Sequence, residues 1–204
     1  MTVVIDTKAE VELSHDFAEG IDKGPRLVLL SGKAELEPLA TKTFTTGVGE
    51  LLIKANQHGL SHLSLAGTKE ASWVNRCHSL HQDAMRHLLQ AEREVGQYFA
   101  GIRETFTVPL APQGTEFQQQ VWQALLETKY GEVCSYSDIA QKIHRPQAVR
   151  AVGAANGANR IAIIIPCHRV IGKNGKLTGY AYGVEMKRKL LELEDKFEQK
   201  SIQF

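Results

Sequence analysis

Apolar positions along the chain change period several times, and each change marks an element. Residues 1–40 carry the weakest pattern; within them Arg26–Leu30 (RLVLL) reads as a strand. ELLIKA and LSHLSLA flank Asn56-Gln57-His58-Gly59, which predicts a β-hairpin with a glycine-containing turn. From about His81 to Phe99 the spacing is helical, with Ala84, Leu88, Ala91, Val95 and Phe99 on one face, and Gly101 is placed to end the helix. TFTVPLAPQG then reads as a linker, because two prolines and a glycine break any period.

A second unit begins at Thr115, which stands at capping-box spacing from Gln118. Phe117, Val121, Trp122, Leu125 and Leu126 form a helical stripe, expected to close at Gly131. Ser135 is placed to cap a short helix over 136–144 whose apolar face is Ile139, Ala140 and Ile143. Pro146 suits the first turn of a further helix over 147–157. Ile161–Ile165 reads as a buried strand or extended segment, and Met186, Leu190, Leu193 and Phe197 as a terminal helix.

The helix pair 136–144 and 147–157 has the outline of a helix-turn-helix, although helical hairpins are common without DNA. In its second helix Ala148, Val149, Val152 and Ala155 are expected to face the core. Arg150, Gly153, Ala154 and Gly157 share another face, with one cation and almost no other side chain. A helix that reads the major groove carries long polar side chains. A bare face lets the backbone approach a minor groove with a single Arg projecting, or packs tightly on another helix.

Composition excludes several classes. With 204 residues, 43% hydrophobic and 23% charged, the chain is long enough for a sizeable core, and disorder over most of it is not expected. No apolar run reaches membrane-spanning length and no secretory signal is read. Three cysteines in no disulfide spacing point to a reducing, cytoplasmic setting. Charge is uneven. Residues 1–113 hold 11 basic and 14 acidic side chains, whereas 129–189 hold 11 and 3. That segment suits a polyanion, or is a solvated basic face.

IIIPCHRV sets Cys167 beside His168 and Arg169, where cations would lower the thiol pKa; adjacent residues often diverge, however, and an inert buried Cys is common. Cys77, His78, His81 and His87 cluster on one helical stretch. Cys77 and His81 supply two ligands at most, so a polar face is expected there and no metal.

The chain resembles the O6-alkylguanine-DNA alkyltransferases. The resemblance rests on FQQQVW at 117–122, GEVCSY at 131–136, RAVGAANGANRIAIIIPCHRVIGKNGKLTGYAYG at 150–183, and Lys187 with LLELE at 190–194. It is close over 114–195, looser over 43–113, and absent from 1–40. It implies an α/β fold of the α+β kind. A small N-terminal domain with a β-hairpin or sheet and a helix would precede a mostly helical, winged helix-turn-helix-like domain that binds DNA and carries catalysis. The implied division is an extension of unknown role (1–40), an N-terminal α/β domain with linker (41–113) and the DNA-binding alkyltransferase domain (114–204).

The implied activity is that of a methylated-DNA–protein-cysteine methyltransferase. It is a single-turnover transfer of an alkyl group from O6-alkylguanine, with O4-alkylthymine as an alternative substrate, in duplex DNA, with no cofactor, by a monomer. By resemblance, Cys167 is the nucleophile, His168 a base acting through water, Glu194 its orienting carboxylate, and Asn159 a tie to the cysteine turn. Tyr136, Arg150, Arg169, Gly153 and Ala154 correspond to DNA-contacting and base-flipping positions. Val170, Tyr180, Ala181 and Lys187 correspond to the substrate pocket. The carbonyls of Cys167 and Val170 would accept from the guanine amino group. Flipping follows from geometry, since O6 lies within the stack and sulfur needs a straight approach. Ala181 and Tyr182 depart from the GYRWG of many bacterial members, which bears on pocket size. Two other function classes fit the residues less well. A lesion sensor without chemistry lacks the cysteine that is present here, and a regulator would need a further DNA-binding module.

Overall fold

The computed structural model describes residues 3–6, 24–31, 38–66 and 82–194. Strands β1 (Val3–Asp6) and β2 (Val28–Ser31) pair in parallel, so the predicted strand at Arg26–Leu30 is present, shifted slightly towards the C-terminus. Strands β3 (Ala40–Thr46), β4 (Gly49–Asn56) and β5 (Gly59–Leu65) form an antiparallel meander. The β4–β5 hairpin is the expected one, closed at Asn56 and Gly59. Gly59 is required there by close approach. A Cβ would stand 2.4 Å from the Pro109 carbonyl oxygen. β3 was not expected. Its sequence, ATKTFTT, is polar enough to hide a strand that pairs on one side only.

Helix α1 (Gln82–Phe99) lies on the meander and buries Ala84, Leu88, Ala91 and Val95, as the spacing predicts. It ends in a Schellman turn. Gly101 has φ 71°, its N–H reaches the Tyr98 carbonyl, and Ile102 N–H reaches that of Gln97. Of the cysteine–histidine cluster, His87 is buried on α1 against the Asn56 carbonyl; Cys77, His78 and His81 lie outside the described residues.

The segment read as a linker is packed. Phe106, Val108, Leu110 and Ala111 are buried, and Leu110 bridges Leu27 on one side and Leu60 on the other. Phe106, Val108 and Leu110 alternate with period two, a strand pattern that Pro109 obscures by removing a ladder donor. Glu94 of α1 anchors this stretch, accepting from the Thr107 and Val108 backbone N–H groups at 2.8 and 3.2 Å.

In the second half, α2 (Glu116–Leu126) and α3 (Tyr136–Lys142) start in reciprocal capping boxes, Thr115 with Gln118 and Ser135 with Asp138. Helix α2 stops at Leu126, ahead of Gly131, because the chain turns at Glu127. Strand β6 (Cys134–Ser135) precedes α3 and pairs in parallel with β7 (Val170–Ile171). Helix α4 (Val149–Gly157) starts later than expected. Pro146 lies in the preceding turn, and Val149 is exposed while Val152 and Ala155 carry the buried face. Helix α5 (Val184–Leu193) buries Met186, Leu190 and Leu191; Phe197 lies outside the described residues.

One apolar cluster spans both halves, from Leu51 and Leu63 to Trp122 and Ile165. Backbone bonds join them as well. Leu63 N–H reaches the Arg160 carbonyl, and Ala162 N–H reaches that of Leu63, both at 2.9 Å. The fold is mixed α/β, a small sheet with one helix followed by a helical unit.

Candidate active site

Cys167 sits in a single 3-10 turn, Cys167–Arg169, at the end of the apolar run. That run is not a strand. Beyond the Ile161 bridge it coils, with Ile164 N–H on the Ala162 carbonyl, Ile165 N–H on that of Ile161, and Cys167 N–H on that of Ile165. Ile163 holds φ 71°, a conformation that a β-branched residue rarely adopts. The correction has a simple cause. Five consecutive buried apolar residues suit any segment surrounded by core, whatever its backbone.

Asn159 organises the coil. Its amide nitrogen faces the carbonyls of Ile161 (3.3 Å) and Ile165 (2.9 Å) and the Cys167 sulfur (3.0 Å), and its oxygen accepts from Ile161 N–H at 2.9 Å. Asn156, unremarked in the sequence, donates from α4 to the Cys167 carbonyl at 3.4 Å. That carbonyl also accepts from Val170 N–H. The Val170 carbonyl accepts from Lys187 Nζ at 2.5 Å, so both expected guanine acceptors already have partners.

The thiol is buried, and burial pushes its pKa up despite the Asn159 hydrogen bond and the Lys187 charge. This reverses the expected lowering. His168 is itself held neutral by burial, and Arg169 spends its charge elsewhere, so desolvation outweighs the cations. A protonated thiol needs a base to become a nucleophile.

His168 supplies the geometry of one. Its Nε2 lies 2.9 Å from Glu194 Oε1, with both side chains fully buried. Nε2–H donating to the carboxylate leaves Nδ1 as the acceptor, and Nδ1 is buried with no protein partner. Glu194 stays ionised, held down to about 2 by hydrogen bonds from His168 and Arg169 that overcome burial. Arg169 grips it with two prongs, Nη2 to Oε1 at 2.9 Å and Nε to Oε2 at 3.0 Å, and donates Nη1 to the Thr128 carbonyl. Gly131 N–H and the Tyr98 hydroxyl complete the shell at 3.1 and 2.9 Å. Arg169 is therefore a buried ion-pair partner of Glu194, whereas the resemblance set it among the DNA-contacting positions. Its place beside a catalytic motif in a basic segment gave no sign of a carboxylate 25 positions away.

The remaining candidates lie around the thiol or on the surface. Lys187 is fully buried with no carboxylate partner; its ammonium holds the Val170 and Thr178 carbonyls, and burial lowers it to about 8. Tyr180 has a buried hydroxyl without a partner, and its ring meets that of Tyr182 edge-on at 5.5 Å. Ala181 is exposed. Tyr136, the first residue of α3, reaches the Thr178 carbonyl at 3.5 Å, and its ring lies over Gly153, where a Cβ would be 3.9 Å away. Arg150 and Ala154 are exposed and Gly153 half-buried on α4, which confirms the bare face. Among the described residues no group of three His, Cys, Asp or Glu side chains could hold a metal ion, and no helix is long and apolar enough to cross a membrane.

Two family profiles match the chain. Residues 40–112 match the 6-O-methylguanine DNA methyltransferase ribonuclease-like domain, and residues 116–196 the DNA-binding domain of the same family. The chain is 47% identical to a methylated-DNA–protein-cysteine methyltransferase of Methanosarcina barkeri over 153 residues, 72% of this chain and 92% of that one. It is 44% identical to the constitutive Bacillus subtilis protein of that name over 153 residues, 74% and 93% of the two chains. The crystal structure of Mycobacterium tuberculosis OGT in complex with DNA aligns with a TM-score of 0.66 at 44% identity, covering 76% of this chain and 91% of that one.

Proposed function

This chain belongs to the 6-O-methylguanine DNA methyltransferase family, and from that premise we propose that Cys167 is the residue onto which it repairs DNA by alkyl transfer. The observation that carries the reading is the buried pairing of His168 with Glu194 directly after a thiol held by Asn159. Nδ1 of His168 takes the thiol proton through a water. The sulfur then attacks the alkyl carbon, the bond from carbon to O6 breaks, and the guanine leaves with a proton from the Tyr136 hydroxyl. Burial raises the Tyr136 phenol, so it is a donor at neutral pH.

Because a thioether is a poor leaving group, each chain acts once and needs no cofactor. The substrate is O6-alkylguanine in duplex DNA, entered from the minor groove by α4 with Arg150 in the vacated stack. Lys187 and Tyr180 shape the pocket beside the exposed Ala181. The protein acts as a monomer in the cytoplasm, where reducing conditions keep the thiol free.

The test is incubation with duplex carrying one O6-methylguanine, followed by peptide mass spectrometry. One methyl group on Cys167 per chain is expected. Repeated turnover, or an unmodified Cys167, overturns the reading.

A further inference from the structure

We propose that Tyr98, supplied by the N-terminal half of the molecule, is a positioning residue that tunes how strongly Glu194 holds the His168 proton. The inference rests on the alkyl-transfer reading above. Tyr98 lies at the end of α1 and is fully buried. Its hydroxyl donates to Glu194 Oε1, the oxygen that also accepts from His168 Nε2 and Arg169 Nη2, each at 2.9 Å. A carboxylate oxygen shared by three donors pulls less on each of them. Tyr98 thus competes with the imidazole for one acceptor, and by doing so makes His168 easier to deprotonate.

The hydroxyl is aimed by packing. The Tyr98 ring meets Phe99 and Tyr130 edge-on at 5.3 and 6.0 Å and Phe106 at 5.6 Å. Tyr130 in turn donates its hydroxyl to the Leu193 carbonyl, next to Glu194. Burial and the Glu194 charge both raise the Tyr98 phenol, so it remains a donor. Without Tyr98 the carboxylate is still held by the Arg169 fork and Gly131 N–H. Loss of the hydroxyl therefore changes the basicity of the pair more than its position. The other charged or titratable groups around it are Arg169 in its own turn, Lys187 from α5, Cys167 and Tyr130, all retained in the variants below.

The experiment measures single-turnover transfer from O6-methylguanine duplex against pH for the full chain, for Tyr98→Phe, and for the chain with 3-fluorotyrosine at position 98. The acidic limb reports proton uptake by His168. It should move up by about half a pH unit in Tyr98→Phe. Fluorotyrosine is the stronger donor and should move the limb down. An unmoved limb in both proteins overturns the proposal, as does a uniform loss of rate at every pH with a lowered Tm. If the unmodified chain fails to methylate Cys167, the transfer reading falls. NMR titration of the labelled His168 ring then still decides the Tyr98 coupling, by the same shifts.

Discussion

The side-chain amide of Asn159 faces the Cys167 sulfur at 3.0 Å while its oxygen is tied to the Ile161 backbone. The donor is thus pointed at the sulfur before any substrate arrives. A hydrogen bond to a charged acceptor contributes about 1.5–3 kcal/mol, so Asn159→Ala should slow transfer by roughly 10–100-fold. Rapid-quench rates on saturating methylated duplex, compared with DNA affinity, would check this. An unchanged rate would leave Asn159 a tie for the backbone alone.

Arg169 is expected to matter for stability and not for phosphate binding. Its side chain is 7% exposed and its charge is engaged by Glu194. Breaking one partner of a buried pair costs about 3–5 kcal/mol. Arg169→Ala should therefore lower Tm strongly while the salt slope of DNA binding in the folded fraction stays unchanged. A reduced salt slope would restore the duplex contact.

Lys187 spans from α5 to the Val170 carbonyl and to Thr178 in the loop before α5. Lys187→Met keeps the stem but frees both carbonyls. Amide exchange over residues 176–183 should quicken, and transfer from free O6-alkylguanine should fall by about tenfold. Exchange equal to that of the unmodified chain would mean that the loop is held by other contacts.

Arg150 is exposed on α4. If it fills the stack, Arg150→Ala should slow reaction on duplex by the equivalent of a few kcal/mol, about the scale of unstacking a base. Free O6-alkylguanine should react almost as before, whereas Tyr136→Phe should slow both substrates. An unchanged duplex-to-free ratio in Arg150→Ala would reduce Arg150 to one more phosphate contact.

Acid should destabilise the fold in two stages. His168 is pushed below its ordinary 6.5 by burial, so the unfolded chain binds this proton first and stability falls as pH drops below 6.5. Glu194, held at about 2 against an ordinary 4.5, contributes stability that is complete above 4.5 and lost as pH falls towards 2. Chemical denaturation from pH 8 to 3 should show both, and Glu194→Gln should remove the lower stage. A flat profile between pH 7 and 5 would contradict the neutral, buried His168.

Several local features were legible in the sequence, although α2 ends and α4 begins elsewhere than the spacing predicts. The capping box at Thr115, the cap at Ser135, the β4–β5 hairpin, the face of α1 and the stop at Gly101 depend on residues within a turn of one another. The bare surface of α4 was legible for the same reason. Elements failed where the deciding partner was remote. Strand β3 hid behind polar residues because its pairing is with β4 alone. Residues 106–111 passed for a linker because their neighbours, Leu27 and Leu60, come from elsewhere in the chain.

The sequence by itself determined the chemistry on offer: a thiol, an imidazole and a carboxylate at Cys167, His168 and Glu194, with Asn159 beside them in a recognisable order. It also set the helices of the second half, since periodicity and capping are local. Only the tertiary structure decided that Cys167 rests as a thiol, that Arg169 is a counter-ion to Glu194, and that Tyr98, 96 positions away, touches the same oxygen. Burial and Coulomb interactions depend on distance in space, and neighbours along the chain do not report which charges the fold will bring together or how much water it will exclude.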